Sequence, residues 1–289
     1  AFLVRRYIDY YPKARELSNA YNMLAGLVNY LMAPYQDCIR LHEKGYLIGV
    51  QNGELARAAI NKSNILFYKV ALGEPLNDVS AFANEVHRSI EHGAVFSPCP
   101  LATARISNAL QYEEGLHVLD DDKLPAEFLA KAKMGFHYSY LCHYRSQLAF
   151  WYDAYEAALK HAESARKLII SAPKFSFIAD HLFQHALLLM MQGLNESLTE
   201  DQIDDLDLCQ SKLKNMADFY SPNFLHKQVL LEAEQARLHG DSLNVCMPLY
   251  QQAIELADKL DDMGVADGKE LLRGPIEAAV EALRSLGYG

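Results

Sequence analysis

CMPLYQQAIELA, residues 246–257, places Cys246, Tyr250, Ala253 and Ala257 at spacings of 4, 3 and 4. WYDAYEAALKHAESA, residues 151–165, places Tyr155, Ala158, Ala162 and Ala165 at spacings of 3, 4 and 3. Spacings of three and four put these side chains on one face of a helix. Small and aromatic residues on such a face let a second helix approach closely.

Each stretch follows another helical run. GFHYSYLCHYRSQL (135–148) precedes the first in the chain, and FLHKQVLLEAEQARL (224–238) precedes the second, which it meets through the turn His239-Gly240-Asp241-Ser242. Two helices joined by a short Gly/Asp turn form an antiparallel hairpin. The 88 residues from Ala158 to Cys246 leave room for two further units of about 34 residues. Weaker copies run through 13–32, 35–49 and 54–72, with Gln51-Asn52-Gly53 as a turn and Gly73-Glu74-Pro75 as a helix end. Further helices read over 80–91 and 101–112.

Residues 113–126 and 194–206 are polar and loop-like, and Thr199-Glu200-Asp201-Gln202 has the form of a capping box that opens a helix at Glu200. Pro248 requires that its helix begin close to Cys246, because proline suits a first turn and breaks an interior. No run alternates with the period of a strand. The expected fold is therefore all-α: a solenoid of antiparallel helix hairpins, a tetratricopeptide-like superhelix, running as a single repeat domain over 1–289.

Composition narrows the function classes. The net charge of −10 falls on the part from Glu196 onward, which has 18 acids against 8 bases. Such a surface repels nucleic acid and anionic membrane, which need clustered Lys and Arg. No run of about 18 apolar residues is present to span a bilayer. Arg5 and Arg6 interrupt any signal-peptide core. The first residue is Ala, so a processed chain or a piece of something longer is expected. Five scattered cysteines with no C-x-x-C read as reduced core residues of a cytoplasmic protein.

The stretch 216–257 carries a resemblance. Asn223, Phe224, Leu225, His226 and Lys227 precede a helix with Glu232, Ala233, Glu234, Ala236 and Arg237, then one with Tyr250, Ala253, Ile254 and Ala257. In this order the run resembles the helical repeat region of large bacterial and fungal signalling proteins. In those proteins a serine/threonine kinase-like domain and an AAA-type ATPase precede the repeats, and sensor-histidine-kinase modules follow. Segment 135–168 resembles the preceding repeat. Residues 45–73 resemble an earlier pair, with Gly45, Gly49, Gly53, Glu54, Ala58 and Ala59 in its glycine-alanine pattern. The resemblance implies a regulatory region that couples an ATPase to an output without chemistry of its own.

Catalytic motifs are absent: no phosphate-cradling G-x-x-x-x-G-K-[ST], no G-x-G-x-x-G after a strand, no G-x-S-x-G. His181 and His185 share a helix face, but a zinc site needs one or two more ligands, so packing is the expectation. Asp120-Asp121-Asp122 and the acids of 200–207 lack the spacing and central Gly of a calcium loop. Cys142 and His143 point about 100° apart and do not form a nucleophile–base pair. Phe136, Tyr140 and Tyr144 recur every four residues as a packed face, with a ligand cage as the alternative. No metal or cofactor is expected.

Two readings follow. The first is a non-catalytic interaction or relay module that holds a protein or peptide partner, with the flanking domains of a parent chain among the candidates. Polar ridges expected to read that partner are Asn61, Asn64 and Tyr68; His143 and Gln147; and Lys227, Glu234 and Arg237. The second is a sensor that holds a small effector in the groove of the array and shifts a conformational equilibrium.

Overall fold

The structure is a computed structural model that describes residues 2–11, 14, 16–91, 97–112, 115–132, 137–169 and 177–262. Among these residues it is all-helical, and sequence-adjacent helices pack in neighbouring pairs. The helices are α1 (Phe2–Tyr10), α2 (Leu17–Leu27), α3 (Tyr35–Gln51), α4 (Leu55–Ala71), α5 (Leu76–Glu91), α6 (Cys99–Tyr112) and α7 (Ala126–Ala132). They continue with α8 (His137–Trp151), α9 (Tyr155–Ile169), α10 (Phe177–Asn195), α11 (Glu200–Phe219), α12 (Ser221–Leu238) and α13 (Leu243–Asp262). No strand and no helix long and apolar enough to cross a membrane occurs among the described residues.

The chain, expected as a single repeat domain, divides into two compact units. The first holds Ala1–Val70 and Pro75–Ile178; the second holds Ala71–Glu74 and Ala179–Gly289. In the first unit α2 pairs with α3, α5 with α6, and α8 with α9; in the second α11 packs on α12 and α12 on α13.

The alanine faces are the seams of their hairpins. Ala158, Ala162 and Ala165 of α9 are buried, as are Cys246, Tyr250, Ala253 and Ala257 of α13. With only a methyl group at these positions, the neighbouring helix sits close and its own polar groups come within bonding reach. Ser146 of α8 donates to the carbonyl of Ala158 at 2.8 Å.

The turns follow one rule. Gly53 between α3 and α4 and Gly240 between α12 and α13 have φ of +70° and +77°, the left-handed region that glycine enters without cost. The α8–α9 turn does the same with Asp153 at φ +56°, the one non-glycine residue in that region among those described. Aspartate tolerates it better than most residues, and its carboxylate also accepts from the Tyr155 hydroxyl at 2.6 Å.

The capping box at α11 is complete: the Gln202 amide donates to Thr199 Oγ1, and the Thr199 amide donates to Gln202 Oε1. Pro248 lies inside α13, whose start at Leu243 precedes Cys246 by three residues. The proline thus falls in the second turn. It frees the carbonyl of Asn244, an exposed residue, so water can take the missing donor's place.

In the stretch 113–126, read as loop, two 3-10 turns form at Leu116–Leu119 and Asp121–Lys123. The seven-residue α7 follows, too short for a hydrophobic period to reveal. Phe136 of the expected aromatic stripe lies outside the described residues. Tyr140 and Tyr144 are buried, and Tyr140 stacks on Phe67 of α4 with ring centres 5.4 Å apart.

Two substitutions test this account. Asp153→Ala should be less stable than Asp153→Gly by about 1 kcal/mol, because the alanine keeps a Cβ in a left-handed turn. Equal urea midpoints for the two variants would contradict a left-handed Asp153.

Candidate functional site

The polar ridge on α4 is an internal knot. Gly45 and Gly49 of α3 bring that helix against α4 and α2 so closely that added β-carbons would collide. At Gly45 a Cβ would stand 2.6 Å from Asn61 Oδ1, and at Gly49 it would stand 2.8 Å from Ser18 Oγ and 3.0 Å from the Ala58 amide nitrogen. Into this close approach Asn61 projects its amide. It donates to the carbonyls of Ser18 and Arg57, each at 3.0 Å, and its Oδ1 faces His42 Nδ1 at 2.9 Å. Ser18 Oγ donates to the Gly45 carbonyl at 2.8 Å.

Because Asn61 Nδ2 is committed as a donor, its Oδ1 is the acceptor, and His42 therefore carries its proton on Nδ1. The neutral ring is fully buried, and burial pushes its pKa down to about 4, against the opposing effect of the Asn61 bond. Tyr68 closes the knot, donating to the Ala25 carbonyl at 3.1 Å with its ring 5.7 Å from that of His42. Asn64, half-buried, donates to Asn22 Oδ1 at 2.8 Å.

On α8, His143 is buried with its ring 5.8 Å from that of Tyr144, while Gln147 is half-buried. On α12, Lys227 is buried and ion-paired with Asp180 of α10. Glu234, also buried, is the centre of a clamp. The Tyr250 hydroxyl donates to its Oε1 at 2.6 Å, and Arg237 Nε and Nη2 donate to its Oε2 at 3.0 and 2.5 Å. Burial, reinforced by the Glu234 charge, pushes the Tyr250 hydroxyl well above its ordinary pKa, so it remains a donor.

Of the eight side chains expected on polar ridges, the structure places five inside the helix packing. Asn61, Tyr68, His143, Lys227 and Glu234 are buried among neighbouring helices, and Asn64 and Arg237 are half-buried and bonded to other side chains. Tyr250 of α13 and Glu234 of α12 meet across one hairpin and hold it together. The physical reason is that a helix buried on several sides places polar residues against polar neighbours with the same period that an exposed ridge has.

The sequence reading missed a different cluster. Arg105 of α6 donates through Nη1 to the carbonyls of Val118 at 2.8 Å and Lys123 at 2.7 Å. Arg145 of α8 donates twice to the Leu119 carbonyl, at 3.0 and 2.7 Å, and to Asp121 Oδ1 at 2.7 Å. The three aspartates each have a partner: Asp120 pairs with His117 Nδ1 at 2.8 Å, Asp121 with Arg145 and Asp122 with Lys123 at 3.6 Å. An arginine in an otherwise buried helix near an aspartate-rich loop was the signal available.

No group of three or more His, Cys, Asp or Glu side chains is arranged to hold a metal ion among the described residues. His181 and His185 are both buried, with ring centres 5.7 Å apart. All five cysteines are buried and unpaired by disulfides, and burial raises the Cys38 and Cys99 thiols to about 12, far from nucleophilic. No family model, no curated protein and no solved structure matches the chain.

The buried histidines predict an acid-labile fold. The pKa of His226, like that of His42, is lowered, to about 3, first by burial and then by the Lys227 charge. Both folded values lie below the ordinary 6.5, so below pH 6.5 the unfolded chain binds protons that the folded chain refuses. Stability is full above about 6.5 and falls as pH drops towards 4, by up to about 1.4 kcal/mol per pH unit for each histidine. Urea unfolding at pH 7, 6 and 5 measures the slope, and His42→Gln should make it shallower; an unchanged slope in that variant would remove His42 from the account. Tyr250→Phe should cost about 1–3 kcal/mol, since it leaves a buried carboxylate short of a donor.

Proposed function

We propose that the chain is a non-catalytic interaction and relay module, built as a solenoid of antiparallel helix hairpins of tetratricopeptide type, that acts in the cytoplasm. The observation that carries this reading is the repeated seam. In α8–α9 an alanine face, and in α12–α13 a tyrosine-alanine face, is covered by the helix before it, and a polar side chain bridges each pair. Units of that kind bury their apolar faces only by stacking on neighbours, and stacked units expose long surfaces on which partners dock. Five buried cysteines outside any disulfide support a reducing compartment.

The resemblance of 216–257 to repeat regions of multidomain signalling proteins suggests the partners: kinase-like, ATPase or sensor-kinase domains of a parent chain. The geometry adds a role for the clamps. A relay must transmit displacement, and a hairpin pinned by a buried Tyr250–Glu234–Arg237 set moves as a body.

The test is to read the coding sequence on both sides of these residues and to titrate each domain it encodes against the purified chain by calorimetry. Saturable binding at micromolar Kd or tighter is expected for at least one such domain. A parent that encodes none, or domains that all fail to bind, would overturn the relay reading. So would a small metabolite that by itself raises the melting temperature progressively with the logarithm of its concentration, which would point to an effector sensor instead.

A further inference from the structure

Residues 116–124 form a strap laid over α6 and α8 in the first unit. Its manner of attachment differs from that of the hairpin turns. A turn such as 239–242 is held by its own backbone bonds to the helix it leaves. The strap is held from below, by side chains of two helices that are not consecutive in its path. Arg105 reaches up from α6 to the carbonyls of Val118 and Lys123, and Arg145 from α8 to the carbonyl of Leu119 and the carboxylate of Asp121.

Between these contacts the strap buries two aliphatic anchors, Leu119 and Leu124, while Asp121, Asp122 and Lys123 between them stay exposed. Tyr152 fixes the entry: its hydroxyl donates to the Ala109 carbonyl at 2.8 Å and accepts from the Gly115 amide at 3.2 Å.

Arginine donors aimed at main-chain carbonyls, a buried leucine anchor and a charge-assisted bond to a carboxylate two residues later are the elements with which a helical surface reads a peptide. None of them depends on the strap being covalently continuous with α6. Carbonyl contacts accept any sequence; specificity lies in the Leu119 anchor and the Asp121 carboxylate, an aliphatic residue followed two places on by an acid.

We propose that the shared face of α6 and α8 is a binding site for an acidic peptide bearing a Leu-x-Asp motif, and that residues 116–124 occupy it in cis. The strap is then an intramolecular competitor. A partner segment with the same motif displaces it, and the connection between α6 and α8 loosens when it does. This rests on the reading of the chain as an interaction module and gives that module a particular ligand chemistry.

The experiment uses the whole chain and a fluorescein-labelled peptide with the strap's own sequence, GLHVLDDDKLP, followed by polarisation. The double variant Leu119→Ala, Asp121→Ala weakens the strap and leaves Arg105 and Arg145 in place. It should bind the peptide about tenfold or more tightly than the unmodified chain, because the tethered competitor is lost. Adding Arg145→Met to that variant should abolish the gain, and raising salt should weaken binding.

A folded double variant that binds no better than the unmodified chain overturns the proposal, as does binding indifferent to Arg145. Should the double variant fail to fold, hydrogen exchange of the unmodified chain decides. Strap amides that exchange well ahead of those in α6 and α8 show a segment that opens on its own; equal protection shows a strap inseparable from the core and overturns the proposal. Failure here leaves the titration of flanking domains untouched, so the two readings fall separately.

Discussion

The close approach of α3 to α2 and α4 at Gly45 and Gly49 is the constraint on which the first unit is built. Without β-carbons at these positions the backbones come within reach of short side chains. A polar group caught between them must be bonded there, because burying it unpaired costs a few kcal/mol. Asn61 answers that demand with donors to two carbonyls and an acceptor for His42; Ser18 answers it with a bond to the Gly45 carbonyl. Apolar packing alone tolerates sliding between helices. A buried amide with fixed partners does not, so the knot sets the register of α2, α3 and α4.

The second unit solves the same problem with charge. Glu234 is buried, and a lone carboxylate in that position would be prohibitive. Tyr250 and Arg237 supply three donors to its two oxygens, and the tyrosine comes from the opposing helix. Gln210 and Gln235 bridge α11 to α12 at 2.9 Å, and Lys227 ties α12 to α10 through Asp180. The α10, α11 and α13 neighbours of α12 are thus each joined to it by at least one polar bond. This fixes orientation, which the alanine seams leave loose.

These arrangements explain what the sequence disclosed. Helix limits were legible where local chemistry sets them: the Thr199–Gln202 box, the Gly53 and Gly240 turns and the end of α4 before Gly73 all act within a few residues of chain. The alanine faces of α9 and α13 were legible because a small residue every third or fourth position has no use except close approach. The direction in which polar side chains face was not. Asn61, His143 and Glu234 have the residue types and spacing of a recognition ridge, and only the neighbouring helices determine that they face inward. In α8, buried positions from Ser139 to Ala149 run around most of the helix, so no face could be assigned from its period. The Arg105–Arg145 cluster was hidden for the converse reason: its partners are backbone carbonyls, which have no signature in sequence.

Where recognition can reside follows from what the hairpins already use. A side chain that closes a buried bond reads a partner only by giving that bond up, and the polar residues of α4 and the clamp on α12 are bonded in this way. On the proposed reading as an interaction module, recognition comes from side chains whose bonds are replaceable by those of another chain. Arg105 and Arg145 satisfy that condition: they bond main-chain carbonyls and one exposed carboxylate, groups that any peptide with a suitably placed acid can supply. The irregular connection between α6 and α8 is therefore the place where the proposed exchange of an internal contact for an external one leaves the hairpins closed.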